Sequence, residues 1–173
     1  YDLTQHIKES GEKLELYDEA SKKRVVPKVI EPTFGIDRVF LALLCKAYQY
    51  DKTRENIVLK LPAHLAPYQA AIFPLISKGD VFEESKDVFK IITEEFNAFF
   101  DKSGSIGRRY ARQDESGTPF CITIDEESLK DKMVTIRDRD TTKQVRVKIS
   151  DLKDILRKLI HKEVEFEKAG KLI

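Results

Sequence analysis

The sharpest limit on the fold comes from residues 29–38, where strand-like sequence changes abruptly to helix-like sequence. An apolar segment ends in Glu31 and Pro32, and the chain passes through Gly35 into a helix with Arg38 in its first turn. Proline ends the hydrogen-bond ladder of a strand, and glycine lets main chain approach a ligand without an intervening side chain. An arginine in a first helical turn can reach a phosphate. The segment predicts a strand-to-helix corner suited to a nucleotide. The same combination of glycine and proline also occurs in purely structural strand-to-helix turns that bind no ligand.

A helix over residues 35–50 is predicted from apolar residues that recur at helical spacing. They are Ile36, Val39, Phe40, Leu43, Leu44, Ala47 and Tyr48. The spacing places them on one face, which we expect to be buried and to hold the helix start rigidly. Arg38 lies off this face, where its charge is free to meet an anion. The same position also suits an ordinary solvated or salt-bridged arginine.

The rest of the chain alternates between strand and helix patterns. Strands are predicted at 14–18, 24–31, 71–76, 120–124, 133–137 and 143–149. Helices are predicted from 79, from 108 to about 115, and after Ser150, which is expected to cap the last one. A change near residues 56–62 marks a predicted domain boundary. Because strands and helices interleave after it, the second domain is predicted to be α/β, with helices covering a mixed sheet.

The helix predicted from residue 79 carries an apolar and aromatic stripe. Its members are Val81, Ser85, Val88, Phe89, Ile92, Phe96, Phe99 and Phe100. An aromatic stripe of this kind can be imagined as a stacking platform, but its helical spacing favours a core.

Charge is nearly balanced, with 31 Lys and Arg against 30 Asp and Glu, so any RNA contact must come from local basic clusters. Two clusters are candidates: Arg108, Arg109 and Arg112, and Arg137, Arg139, Arg146 and Lys148. The alternation of Arg and Asp over residues 137–140 also fits mutual salt bridges at a turn. The glycine-containing run at 103–107 suits a structural turn, and it leaves an RNA phosphate contact open.

No histidine or cysteine pattern indicates a metal site or a nucleophile. His6, His64 and His161 lack metal-ligand spacing, and Cys45 and Cys121 lie far apart in apolar segments. The two cysteines are therefore expected to be reduced core residues of a cytoplasmic protein. No apolar run approaches the length of a membrane span. We predict a cytoplasmic location, no membrane contact and no protein-ligated metal.

The run Glu31-Pro32-Thr33-Phe34-Gly35-Ile36-Asp37-Arg38 resembles the third signature motif of class II aminoacyl-tRNA synthetases, in the version of glycyl-tRNA synthetases of the archaeal and eukaryotic type. Tyr1-Asp2-Leu3 with His6, residues 103–112 and residues 137–140 resemble that family's later segments in the expected order. The resemblance implies an α/β fold in two parts. Residues 1–58 would be the tail of the antiparallel catalytic sheet, and residues 59–173 an anticodon-binding domain with a mixed sheet flanked by helices.

The resemblance also implies roles for the motif. The implied glycine-binding residues are Glu31, Pro32, Thr33, Phe34 and Gly35, and the implied ATP-binding residues are Gly35, Ile36, Asp37 and Arg38. Glu31 would pair with the ammonium group of glycine, and Thr33 would supply a nearby hydroxyl. Arg38, the implied catalytic residue, would clamp the terminal phosphates of ATP while Mg²⁺ neutralises the others. The seven basic residues of the two clusters would contact tRNA.

The implied reaction is ATP-dependent attachment of glycine to its tRNA. Glycine carboxylate would attack the α-phosphorus of ATP, and the glycyl group would pass to the terminal ribose of tRNA by positioning and charge stabilisation. The full-length enzyme would be a homodimer. Because Tyr1 begins inside the family's catalytic domain, and the first two signature motifs are missing from these residues, the chain is expected to be a fragment that is inactive alone.

A non-catalytic nucleic-acid-binding protein with an anticodon-type domain is the alternative, as in the accessory subunit of the mitochondrial DNA polymerase. Glu31, Gly35 and Arg38 favour the enzyme, because a protein released from catalysis has no physical need for this charge constellation. Selective binding of glycine tRNA over tRNAs with altered anticodons would distinguish the two.

Overall fold

A computed structural model describes residues 2–173, so Tyr1 of the expected N-terminal match lies outside the described residues. The contacts define two compact units, one extending to Val39 and the other from Phe40 to Ile173. This division falls earlier than the predicted domain boundary between residues 58 and 59. That boundary stays a prediction. None of the helices within residues 2–173 is long and apolar enough to cross a membrane.

The first unit contains a helix and a small hairpin. Helix α1 spans Asp2–Ser10, and the strands β1 (Leu16–Asp18) and β2 (Lys23–Val25) pair antiparallel. The strand predicted over residues 24–31 was wrong beyond Val25, because the segment from there to Gly35 forms no strand. Pro27 has no N–H to offer a ladder, which accounts for the early end of the strand.

Helix α2 spans Ile36–Ala47 and ends three residues earlier than predicted, because strand β3 (Tyr48–Asp51) follows it directly. Strand β3 pairs antiparallel with β4 (Asn56–Leu59) in a second hairpin. The expected burial of the apolar face of α2 was wrong over most of its length: Ala47 is buried, but Ile36 is 83% exposed. A stripe of helical period is buried only where another apolar surface packs on it.

A six-stranded mixed sheet forms the centre of the second unit, which confirms the predicted fold class. Its strands are β5 (Ala70–Pro74), β6 (Ala98–Phe100), β7 (Phe120–Ile124), β8 (Met133–Asp138), β9 (Gln144–Lys148) and β10 (Lys171–Leu172). The spatial order is β10-β9-β8-β7-β5-β6. Strand β5 runs parallel to β6 and β7, and the pairs β7–β8, β8–β9 and β9–β10 are antiparallel.

Helices cover both faces of the sheet, which explains why all five residues of β5 and of β7 are buried. The helices of this unit are α3 (Gly79–Thr93), α4 (Ile106–Ser116), α5 (Glu126–Asp131) and α6 (Leu152–Ile160). One core includes α3, α6 and strand residues such as Ile72 and Ile122. On the opposite face, Ile106 and Tyr110 of α4 pack on Phe73 and its neighbours.

Three local predictions were wrong. Ser150 does not cap α6, because a 3₁₀ turn precedes the helix and the cap residue is Asp151, without a side-chain cap bond. Phe99 is not part of the helical core stripe, because α3 ends at Thr93 and Phe99 belongs to β6, where it is exposed. Cys45 is exposed on α2, whereas Cys121 is buried as expected.

Candidate functional site

The motif at residues 31–38 lies in an exposed coil and the first turn of α2. Every residue from Glu31 to Arg38 is exposed, including Phe34 at 79%. The main-chain N–H of Val39 donates to the Gly35 carbonyl at 3.0 Å, and the Arg38 side chain lies 3.7 Å from the place a Cβ on Gly35 would occupy. The structure thus brings Gly35 and Arg38 together. Within residues 2–173, no ion pair neutralises Glu31 or Arg38, so both charges face solvent.

Most arginines of the first basic cluster are used inside the protein. The Arg109 guanidinium is buried and donates to the carbonyl oxygens of Pro74 (2.6 Å) and Gly104 (2.9 Å). Arg112 donates to the Asp101 carboxylate at 3.1 Å through Nε, and also to the Ser103 carbonyl. These contacts hold together the loops that follow β5 and β6. They favour a structural role for both arginines.

The second cluster is also largely internal. Arg137 donates to both carboxylate oxygens of Asp114, at 2.9 and 3.0 Å, and its guanidinium lies 4.7 Å from the Tyr110 ring centroid. Burial by itself would lower the pKa of Arg137, but the hydrogen bonds and the charge attraction of Asp114, with smaller contributions from Cys121 and Tyr110, together outweigh burial and raise that pKa. Arg139 donates to the Gly117 carbonyl at 2.7 Å and pairs with Asp140 at 2.8 Å. The salt-bridge alternative for this turn is therefore observed for Arg139 and Asp140.

Arg146 of β9 lies among three carboxylates. It pairs with Asp125 and Asp131, each at 3.1 Å, and lies 3.7 Å from Glu127. The hydrogen bond to Asp125 is the main reason that the pKa of Arg146 is raised. With this much negative charge around it, Arg146 is suited to fastening α5 to the sheet.

The remaining two basic residues of the prediction, Arg108 and Lys148, are exposed and form no ion pair within the described chain. They lie along the edge of the sheet where the carboxyl ends of several strands meet, and not along an outermost strand. Strands β5, β6 and β7 are parallel, and β9 points the same way as β7 because both are antiparallel to β8, so all four end at this edge. Lys78 follows β5 and Lys102 follows β6, and both are exposed. We call Lys78, Lys102, Arg108 and Lys148 the basic edge.

The basic edge coincides with a change in the direction of the connections. Helix α3 leaves β5 on one face of the sheet, and α4 enters β7 from the other face. Ligands bind open α/β sheets beyond the carboxyl ends of strands at such a point. The Ser77 hydroxyl donates to the Lys102 carbonyl at 3.0 Å and joins the two loops. Sequence reasoning missed Lys78 and Lys102, although each follows a predicted or observed strand end.

Two concave regions differ in their suitability for RNA. A depression of about 370 Å³ at the basic edge is lined by Ile76, Lys78, Asp80, Val81, Glu126, Leu129 and Lys130. A roomier one, about 540 Å³, lies at the opposite ends of the strands beside Pro119, Phe120 and Arg139. Arg139 already donates to protein carbonyls and to Asp140, so the roomier region offers less free positive charge. In residues 2–173, no group of three or more His, Cys, Asp or Glu side chains is arranged to hold a metal ion.

The anticodon binding domain family matches residues 69–159, more than half of the chain, and the chain belongs to this family. The match covers α3 to α5 and most of α6, together with β5 to β9, and thus includes the basic edge. Its helix-covered mixed sheet is the fold described above.

The chain is also similar to curated glycine–tRNA ligases. It is 48% identical to that of Rhodopirellula baltica over 150 residues, which cover 83% of this chain and 28% of the relative. Identity to the ligase of Bacillus cereus is 48% over 162 residues, covering 92% of this chain and 35% of the relative. For Clostridium acetobutylicum it is 46% over 163 residues, with the same coverage. The chain therefore spans about a third of the length of these relatives.

These similarities confirm the resemblance to a portion of a glycyl-tRNA synthetase that includes an anticodon-binding domain. The relatives named above are all ligases, and none of them is an accessory protein of the alternative kind.

Proposed function

We propose that this chain supplies the anticodon-recognition part, and part of the amino acid and ATP site, of a glycine–tRNA ligase. The whole ligase would join glycine to its tRNA with ATP and Mg²⁺ as substrates, as a cytoplasmic homodimer. The observation that carries the proposal is the anticodon-binding family match, combined with 48% identity to glycine–tRNA ligases. The finer assignment, to the archaeal and eukaryotic type, rests on the motif at residues 31–38 alone, since the relatives named above are bacterial.

In the proposed site, the motif acts through charge and position. The exposed Glu31 carboxylate is suited to the ammonium group of glycine, with the Thr33 hydroxyl two residues on. Arg38 presents a guanidinium, which matches the terminal phosphates of ATP better than a point charge would. Pro32, Phe34, Gly35, Ile36 and Asp37 complete the proposed glycine and ATP contacts. The chemistry then needs alignment of the glycine carboxylate with the α-phosphorus, rather than a protein nucleophile.

We place the RNA contact at the basic edge. Arg108 and Lys148 keep the role predicted for them, because their charges are exposed and unpaired within residues 2–173. Single-stranded anticodon bases are read by stacking and by hydrogen bonds, with Lys and Arg along the backbone. Arg109, Arg112, Arg137, Arg139 and Arg146 would act indirectly, by holding the loops and strands that present this edge.

Binding of an anticodon stem-loop tests the proposal. We expect the chain to bind the glycine-tRNA stem-loop more tightly than a stem-loop with altered anticodon bases. Arg108→Gln should weaken binding about 5- to 100-fold if the guanidinium contacts a base. If the guanidinium contacts a phosphate, the slope of log affinity against log salt concentration should become shallower by about one. Lys90→Gln is the matched control, because Lys90 is an exposed residue of α3 that pairs with Asp87.

Fluorescence anisotropy at several salt concentrations would provide both affinity and salt dependence. Equal binding of both stem-loops would contradict anticodon recognition. An Arg108→Gln affinity and salt dependence equal to those of the control would remove the RNA contact from the basic edge.

A further inference from the structure

Two guanidinium groups share one buried carboxylate beneath α4. Asp114 is 1% exposed and accepts hydrogen bonds from both terminal nitrogens of Arg137, at 2.9 and 3.0 Å. Its second oxygen also accepts from Arg54 at 3.2 Å. We call Arg54, Asp114 and Arg137 the Asp114 clamp. The clamp joins three separate elements, since Arg54 follows β3, Asp114 lies on α4 and Arg137 lies on β8.

Arg54 fastens the β3–β4 hairpin at its turn. Besides Asp114, it donates to the main-chain carbonyls of Arg139 (2.7 Å) and Asp140 (3.1 Å). It also pairs with Asp51 at 3.1 Å, within the hairpin itself. The turn of the hairpin is thereby tied both to α4 and to the loop between β8 and β9.

The other end of the hairpin is tied to α2. The main-chain N–H of Lys60 donates to the carbonyl of Ala47, the last residue of α2, at 2.8 Å. No loop separates the helix from the hairpin, because β3 begins at Tyr48. The hairpin is therefore joined to the C-terminal end of α2 without an intervening loop.

Stability alone does not account for a charged clamp at this place. Buried ion pairs lose much of their Coulomb energy to desolvation, and apolar residues of similar volume often serve as well. A fork-shaped guanidinium bound to both oxygens of a carboxylate gives a defined geometry that apolar packing does not. The clamp is thus suited to positioning.

Helix α4 connects the clamp to the basic edge. Arg108 lies six residues before Asp114 on the same helix, a separation of roughly 9 Å along its axis at 1.5 Å per residue. Arg108, the proposed RNA contact, and Asp114, which binds Arg54, therefore lie on one rigid helix.

We propose that Asp114 is a positioning residue for tRNA glycylation: through α4 it holds the β3–β4 hairpin, and with it the C-terminal end of α2, in register with the basic edge. This inference rests on the proposed function. It assigns to Asp114 no contact with glycine, ATP or RNA. Its loss is expected to reduce the transfer of glycine to bound tRNA while leaving adenylate formation intact.

The test uses the full-length ligase carrying Asp114→Asn, which keeps the side-chain shape and removes the charge. Glu95→Gln is the matched control, because Glu95 also binds an arginine with both oxygens, Arg157 at 2.7 and 2.9 Å, remote from the hairpin. In Asp114→Asn, amide hydrogen exchange in β3 and β4 should accelerate at least tenfold, with β7 and β8 changed less than twofold. The kcat of glycylation should fall at least tenfold. The Kd for tRNA and the rate of ATP–pyrophosphate exchange should change less than twofold.

Arg54→Gln provides a second variant if Asp114→Asn does not fold, because it releases the hairpin while leaving Arg137 paired with Asp114. It should show the same separation of glycylation from adenylate formation. Unchanged hairpin exchange, unchanged glycylation, or an equal fall in both reactions in the folded variant would overturn the inference. If the unmutated ligase does not glycylate tRNA, the proposed function itself fails, and that result is distinct from failure of the clamp.

Discussion

Replacing Gly117 with alanine should destabilise the second unit through two separate costs. Gly117 ends α4 with φ at +84°, in the left-handed region. A Cβ there would lie 3.0 Å from Leu61 Cδ1 and 3.1 Å from the Leu59 carbonyl oxygen. The Leu61 side chain can rotate away, but the Leu59 carbonyl is main chain at the end of β4, so that part of β4 must move with it.

The magnitude follows from both terms. A left-handed conformation costs a non-glycine residue about 1–2 kcal/mol, and overpacking costs about 1–3 kcal/mol more. Alanine also lowers the conformational entropy of the unfolded chain, which offsets about 0.4–1 kcal/mol of this destabilisation. We therefore expect Gly117→Ala to lower the free energy of unfolding by about 1–5 kcal/mol.

Urea unfolding followed by circular dichroism suits this measurement, because the chain contains no tryptophan. The control is Gly107→Ala in the first turn of the same helix, where a Cβ would meet no atom within 4 Å. There alanine should be neutral or should stabilise by up to about 1 kcal/mol, because it is the better helix former. The reasoning is refuted if Gly117→Ala stays within about 0.5 kcal/mol of the unmutated chain, a difference typical of inconsequential surface changes.

Two further predictions concern ionisable groups. Burial raises the pKa of the Cys121 thiol far above its usual range. Iodoacetamide at mild alkaline pH should therefore modify the exposed Cys45 in the native chain and spare Cys121 until urea is added. Prompt labelling of Cys121 in the native chain, detected by mass spectrometry, would contradict this. Burial tends to raise the pKa of Asp101, but hydrogen bonds from Arg112 and Ser103 lower it below 3.8 overall. Because the folded pKa is the lower one, the stabilisation is complete above the unfolded pKa and is lost as pH falls through the folded value. Asp101→Asn should thus be less stable than the unmutated chain at pH 7. In urea titrations at a series of pH values, the difference in the free energy of unfolding should narrow below pH 4. A difference that stays constant with pH would exclude this linkage.

Strong local patterns made the central part of the fold predictable. The alternation around Val145 and Val147 gave β9 and its buried face, and Gly117 marked the end of α4. Several short elements were missed, because short segments carry little periodicity; they are β3, β4, β6, α5 and β10. Helix α5 did have a local signal, since Asp125 and Ser128 cap each other reciprocally at its start.

The site was harder to predict because charge in a sequence does not reveal its partner. The sequence does not distinguish Arg137 from Arg108, yet Arg137 is paired with a buried carboxylate 23 positions away and Arg108 is exposed. The one usable signal for Asp114 was its place four residues after Tyr110, on the inward side of a helix. Tertiary pairing of this kind becomes visible only once the strands are in register.

The outermost strands of the sheet are its shortest, with three residues in β6 and two in β10. An open border of a sheet invites neighbouring molecules to add a strand of their own, and brief borders offer few donors and acceptors for such growth. The domain therefore has little tendency to join its copies into fibrous assemblies.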